Sequence, residues 1–221
     1  MRITYNAPLI LSYTLICVVI TALDTTIFID TSGNVGSLSR YLFTVYPFGT
    51  PPMSLDDPLA YFRFFSHCMG HAGWAHLVGN FSFILLIGPI LEEKYGTKML
   101  ASLILVTALI TGILNALFFN NALLGASGIV FMMILLVSFA NSNKGTIPLT
   151  FVLVALLYLG QEIYNALQED QISQFAHIIG GVCGGIFGYL IQGNQGPKVS
   201  KKGSGDQKPL ESLDLNNLTN L

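Results

Sequence analysis

Apolar residues run along this chain in six long stretches with short polar breaks between most of them. The stretches cover approximately residues 8–28, 74–91, 99–119, 124–140, 147–164 and 173–192. A membrane-spanning helix needs roughly 20 mostly apolar residues, and each stretch meets or approaches that length. The pattern predicts an all-α polytopic membrane protein with six transmembrane helices. Asn120-Asn121 separates the third stretch from the fourth, and residues 141–146 separate the fourth from the fifth. The long first connection, residues 30–73, is rich in rings, among them Tyr41, Phe43, Tyr46, Phe48, Tyr61, Phe62, Phe64 and Phe65. Aromatic side chains settle at membrane interfaces, so this first loop is expected to be membrane-associated. Past Gly193 the chain turns to Lys, Gly, Ser, Asp and Asn. Residues 1–193 therefore read as one membrane domain and 194–221 as a flexible polar tail.

Composition agrees with this pattern. Of the 221 residues, 52% are hydrophobic and 10% charged, against about 25% charged in soluble domains. The net charge is −2, and no basic patch with interleaved aromatics points to a nucleic-acid partner. Cys17, Cys68 and Cys183 are too few and too scattered for a disulfide framework. Arg2 precedes an apolar run longer than a signal-peptide core, so that run reads as the first spanning helix. Lys and Arg gather on the cytoplasmic side of membrane proteins. With a cytoplasmic N-terminus, the inner segments hold Arg2, Lys94, Lys98, Lys144, Lys198, Lys201, Lys202 and Lys208, and the outer ones only Arg40 and Arg63. Both termini are then expected to be cytoplasmic. The short N-terminus favours a bacterial plasma membrane.

Against this apolar background a few polar residues are conspicuous. Residues 99–143 contain no Asp, Glu, Lys or Arg, yet Gly125-Ala126-Ser127-Gly128 lies within them. Ser127 falls near the start of the fourth helix, where small neighbours leave a hydroxyl unobstructed and the first amides lack intrahelical partners. Small-residue runs also serve close helix packing. His177 lies about one turn into the last helix, on the same side of the membrane, and is followed by Gly180, Gly184 and Gly188 at every fourth position. Those glycines offer a smooth face along which another helix could carry Ser127 towards His177. A serine with a neutral histidine can act as nucleophile and base, although a membrane histidine can also serve only as a hydrogen-bond partner. A third motif begins the second helix: His67-x-x-x-His71-x-x-x-x-His76-x-x-x-Asn80. His76 and Asn80 share one helix face, and both can donate hydrogen bonds to an oxyanion. His67, His71 and His76 have no nearby carboxylate to complete a metal site, so no metal is expected.

In combination these motifs resemble the rhomboid family of intramembrane serine proteases, over most of the apolar region. The family's GxSG serine, its histidine before glycine-rich packing and its His-x-x-x-Asn pair match Ser127, His177, and His76 with Asn80. The stretch Leu91-Glu92-Glu93-Lys94-Tyr95-Gly96 looks like the family's Glu-containing turn. The resemblance implies a Ser127–His177 dyad, with His76, Asn80 and the Ser127 amide binding the oxyanion. It also implies substrates that are transmembrane helices of other proteins, cut near the outer face, with membrane lipid as surroundings and no cofactor. Two positions depart from the family's habit. Phe62-Arg63 stands for its Trp-Arg pair, and Phe131 for the tyrosine one turn after the serine. Water is expected to reach the site through a cavity lined by Ser66, His67, His71, His76 and Asn80. The competing expectations are an inactive relative that binds membrane helices and a transporter lined by these polar groups.

Overall fold

The computed structural model describes residues 5–29, 36–54, 56–168 and 172–192. Eight helices occur among them: α1 (Pro8–Thr26), α2 (Ser37–Leu42), α3 (Pro58–Ser66), α4 (Trp74–Tyr95), α5 (Thr97–Phe118), α6 (Ser127–Val137), α7 (Leu149–Gln168) and α8 (Ile172–Ile191). The extended backbone of the described residues is limited to one isolated bridge. Helices α1, α4 and α5 are long and apolar enough to cross a membrane. At 1.5 Å per residue, the 22 residues of α4 or α5 reach about 33 Å, against roughly 30 Å of hydrocarbon. Each apolar stretch contains one helix. The two extra helices, α2 and α3, lie in the aromatic first loop. The expected tail begins beyond residue 192 and lies outside the described residues.

Helix α6 is the centre of the bundle. It packs against α8, α4, α5 and α7, while α1 lies on α4 and α3 on α5. Its residues Gly128 to Leu136 are buried, as befits a helix that is apolar all round. It is also short, because Gly125 takes a left-handed φ of +121° before it and a turn follows Val137. Eleven residues reach about 16 Å, half the hydrocarbon thickness.

Two buried carboxylates hold the frame around α6, Glu92 at the start of a helix more than eighty residues away and Asp24 at the start of the next helix in the chain. Glu92, 4% exposed, accepts the Leu9 and Ile10 amides at 3.0 and 3.1 Å and the Thr97 hydroxyl at 2.7 Å. It thereby caps α1, whose own N-cap residue, Ala7, offers no side chain. Asp24 does the same for α2, accepting from Leu38 at 2.9 Å and Ser39 at 3.0 Å. Gly36 is required there, since a Cβ would run into the Asp24 carboxylate. Helix α3 is capped locally by Asp57, which accepts the Leu59 amide at 2.9 Å. The buried Arg63 ties the loop together from α3, donating from Nε to the Tyr41 carbonyl at 2.7 Å and pairing with Asp57 at 3.3 Å. The Phe62-Arg63 pair thus anchors the first loop without a tryptophan. The loop is tied in turn to the segment before α6: Val45 and Leu123 exchange both backbone hydrogen bonds, at 3.0 and 2.9 Å, and Phe48 donates to Ala116 at 2.9 Å.

Candidate active site

Ser127 is the first residue of α6 and is half-buried. Its position follows from the pinned segment before it, where the Gly125 amide also donates to the His67 carbonyl at 2.9 Å. The next residue, Gly128, lets α8 come in backbone to backbone. A Cβ on Gly128 would stand 3.2 Å from the Ala176 carbonyl. A Cβ on Gly180 would fall on the Gly128 carbonyl, and one on Gly184 on the Met132 carbonyl. Gly188 meets the Phe139 ring in the same way. The four-residue glycine spacing is therefore a seam between α6 and α8.

The seam brings His177, next to Ala176, alongside the first turn of α6. Its imidazole stacks on Phe131, with ring centroids 4.4 Å apart and planes 10° from parallel. Phe131 is four residues after Ser127 and shares its face of α6. Ser127, Phe131 and His177 thus belong to one strip of the α6–α8 interface.

His76 and Asn80 reach the same place from α4. His76 Nε2 lies 2.8 Å, and Asn80 Nδ2 3.7 Å, from where a Gly125 Cβ would stand. Only glycine leaves room for these two side chains two residues before Ser127. The Ala72 amide donates to His76 Nδ1 over a long 3.5 Å. With Nδ1 accepting, a neutral imidazole carries its proton on Nε2, the nitrogen turned towards Gly125. Asn80 is buried, and its Nδ2 meets no acceptor among the described residues. Two side-chain donors therefore converge two residues before a serine at a helix start, and a further imidazole stacks on the ring one turn after it. Such an arrangement can stabilise an oxyanion while a proton leaves the hydroxyl.

The remaining polar residues of the motif do not line an opening. Ser66 and His71 are 1% exposed and His67 is 3% exposed. Ser66 donates to the Leu42 carbonyl at 2.8 Å, and His67 Nε2 donates to the Ala108 carbonyl at 3.0 Å. His71 lies edge-on to His76 and Phe81, with centroids 5.1 and 5.7 Å away. Burial pushes His67 and His71 each down to about 4, so both are neutral at ordinary pH. The expected wet cavity is corrected for Ser66 and His67, which are tied to backbone carbonyls; His71 is buried against rings, and neither of its ring nitrogens meets a hydrogen-bond partner among the described residues. Sequence reading missed a polar stripe on α5, where Thr107, Thr111 and Asn115 are all buried. Their spacing of four was the available signal. Thr111 Cγ2 would lie 3.4 Å from a Gly128 Cβ, so the stripe backs the start of α6. Among the described residues no three His, Cys, Asp or Glu side chains converge to hold a metal ion.

Residues 58–194 match the family model for the Rhomboid domain. Rhomboid-related protein 1 of Caenorhabditis elegans is 31% identical over 140 residues, which is 58% of this chain and 39% of that protein. Rhomboid protease GlpG of Haemophilus influenzae is 26% identical over 131 residues, 58% of this chain and 68% of that protein. RHOMBOID-like protein 4 of Arabidopsis thaliana is 33% identical over 129 residues, 55% of this chain and 32% of that protein. The matches thus cover between a third and two thirds of these relatives' lengths. With its apolar helices, the matched domain makes the chain an integral membrane protein.

Proposed function

The chain belongs to the rhomboid family, and on that premise we propose that it is an intramembrane serine endopeptidase working through Ser127 and His177. The observation that carries the reading is the convergence at the α6–α8 seam. His177 is held on Phe131, while His76 and Asn80 from α4 meet at Gly125, two residues before Ser127. In the proposed reaction neutral His177 takes the proton from the Ser127 hydroxyl as the oxygen attacks a peptide carbonyl. The carbonyl oxygen gains negative charge and is met by His76 Nε2–H, Asn80 Nδ2–H and the amide at the start of α6. His177 then gives its proton to the leaving amine. Water, deprotonated by His177 in the same manner, hydrolyses the acyl-enzyme. No carboxylate is assigned to orient the imidazole; stacking on Phe131 does that work.

The substrate in this reading is another membrane protein with a helix that unwinds readily, since a peptide carbonyl kept in a helix is not available for attack. Six helices, α1 and α4 to α8, are read as spans. The Lys and Arg distribution puts both termini on the cytoplasmic side and the scissile bond near the outer face.

The test is labelling of the detergent-solubilised chain by a fluorophosphonate. The unmutated chain is expected to label, Ser127→Ala not at all, and His177→Ala at background. Labelling that survives Ser127→Ala, or an unmutated chain that neither labels nor cleaves any membrane substrate, would leave the inactive helix-binding reading in its place.

A further inference from the structure

Gly181 and Gly185 follow the seam glycines Gly180 and Gly184 by one residue, so they face about 100° further round α8. They form the floor of a groove of about 390 Å³ between α6, α7 and α8, walled by Phe139 and Phe151 and open past Ile186 and Tyr189. That volume falls within the roughly 300–1,000 Å³ of ordinary ligand sites. Apart from Tyr189, no side chain of its lining carries a polar atom. The groove faces outward, since Ile186 and Tyr189 are each about half exposed.

One end of the groove is fixed by a polar clamp. Gln192, buried at the end of α8, accepts the Thr146 amide at 3.1 Å and donates to the Thr146 carbonyl at 3.0 Å. This bidentate pairing holds the chain entering α7 against the end of α8, next to Ile147 of the groove wall. The exposed Lys144 lies two residues before the clamp.

We propose that this groove holds one acyl chain of an anionic phospholipid, with the headgroup at the Lys144 end. The lining offers nothing that could read a peptide backbone, and a narrow apolar groove opening towards lipid suits a single unbranched hydrocarbon chain. Charge complementarity selects the headgroup: basic residues beside a membrane attract anionic lipids, and the Tyr189 ring belongs at headgroup level. A chain seated there wedges the foot of α7 against α8 and links lipid composition to the helix neighbouring the proposed active site. The inference rests on the reading of α7 and α8 as spans.

The experiment reconstitutes the full chain in mixed phosphatidylglycerol and phosphatidylcholine vesicles. These carry a trace of either lipid bearing a photoreactive diazirine on its acyl chain, and adducts are mapped by mass spectrometry. The phosphatidylglycerol probe is expected to mark Phe151, Ile186 or Tyr189 several-fold above Leu86, an exposed α4 residue that reports bulk lipid. Gly185→Leu, and Val182→Trp as a variant that fills the groove from its rim, should each lower groove adducts several-fold and leave Leu86 unchanged. Lys144→Glu should lower phosphatidylglycerol adducts but not phosphatidylcholine ones. Equal marking of groove and Leu86, indifference to both filling variants, indifference to headgroup, or a cross-link between two copies through the groove would each overturn the proposal. Fluorophosphonate labelling of Ser127 in the same vesicles reads the peptidase assignment separately.

Discussion

The two halves of this bundle are held together by opposite means. Around α1, α2 and α3, polar side chains do the joining: Glu92 caps α1, Asp24 caps α2, and Arg63 holds the first loop by its Tyr41 carbonyl. Between α6 and α8, the absence of side chains does it, since Gly128, Gly180 and Gly184 let two backbones touch. A buried capping carboxylate contributes stability and fixes where an element begins, and it tolerates small shifts because its own side chain can rotate to follow the amides. A glycine seam leaves no such tolerance. The proposed pair, Ser127 and His177, lies on the glycine seam and the frame on the polar side, so damage to the two halves should be separable: function in one, stability in the other.

The largest expected effect comes from Gly180→Leu. Its Cβ would coincide with the Gly128 carbonyl, and no rotamer avoids a backbone clash. α8 must move away, taking His177 with it. A displacement of about 1 Å can cost roughly a hundredfold in rate, so fluorophosphonate labelling should fall by about that factor or more. Circular dichroism should still report a helical protein. Undiminished labelling in this variant would erase the contrast between the halves.

Glu92→Ala tests the other half. It strips the cap from two amides of α1 and leaves the Thr97 hydroxyl without its acceptor. The buried Ile10 amide left unsatisfied costs about 1–3 kcal/mol, and the part-buried Leu9 amide and the exposed Thr97 hydroxyl less, so thermal unfolding in detergent should shift downward. Well below the new midpoint, labelling of Ser127 should stay within a few-fold of the unmutated chain. Glu92→Gln keeps one acceptor oxygen and should recover part of the loss. If Glu92→Ala instead abolished labelling at low temperature with no change in the unfolding midpoint, the frame would be acting directly on the proposed pair, Ser127 and His177.

The two halves were also unequally legible in the sequence. The seam could be read because its signal is local: Gly180, Gly184 and Gly188 recur every four residues beside His177, and Ser127-Gly128 opens an apolar run. His76 and Asn80 were readable for the same reason, as a pair one helical turn apart. The frame was not, because its partners are distant. Glu92 caps amides more than eighty residues away, and a lone acid near the end of an apolar stretch says nothing about which helix start it will meet. Asp24 caps the next helix, but nothing in the side-chain pattern between them points to the Leu38 and Ser39 amides. The wet cavity expected at Ser66 and His67 failed for a related reason: their acceptors are the Leu42 and Ala108 carbonyls, backbone groups with no signature in side-chain pattern. The aromatic first loop was read as interfacial, yet Asp57-Pro58 was an N-cap and first-turn signal for α3.

The smallest effect sharpens the contrast within the seam itself. The glycines set how near His177 comes, whereas the Phe131 ring, 4.4 Å from it and nearly parallel, sets which way the imidazole faces. Phe131→Leu keeps the volume approximately filled and leaves the backbone contacts of Gly128 and Gly180 untouched, but removes the flat surface. Stacked ring pairs contribute about 1 kcal/mol beyond their buried area, so labelling should drop by about fivefold on the scale of 1.4 kcal/mol per decade. Phe131→Tyr keeps the surface and should label at close to the unmutated rate. If leucine and tyrosine behaved alike, orientation of the imidazole would have to come from its own helix, and the seam glycines alone would account for the placement of His177.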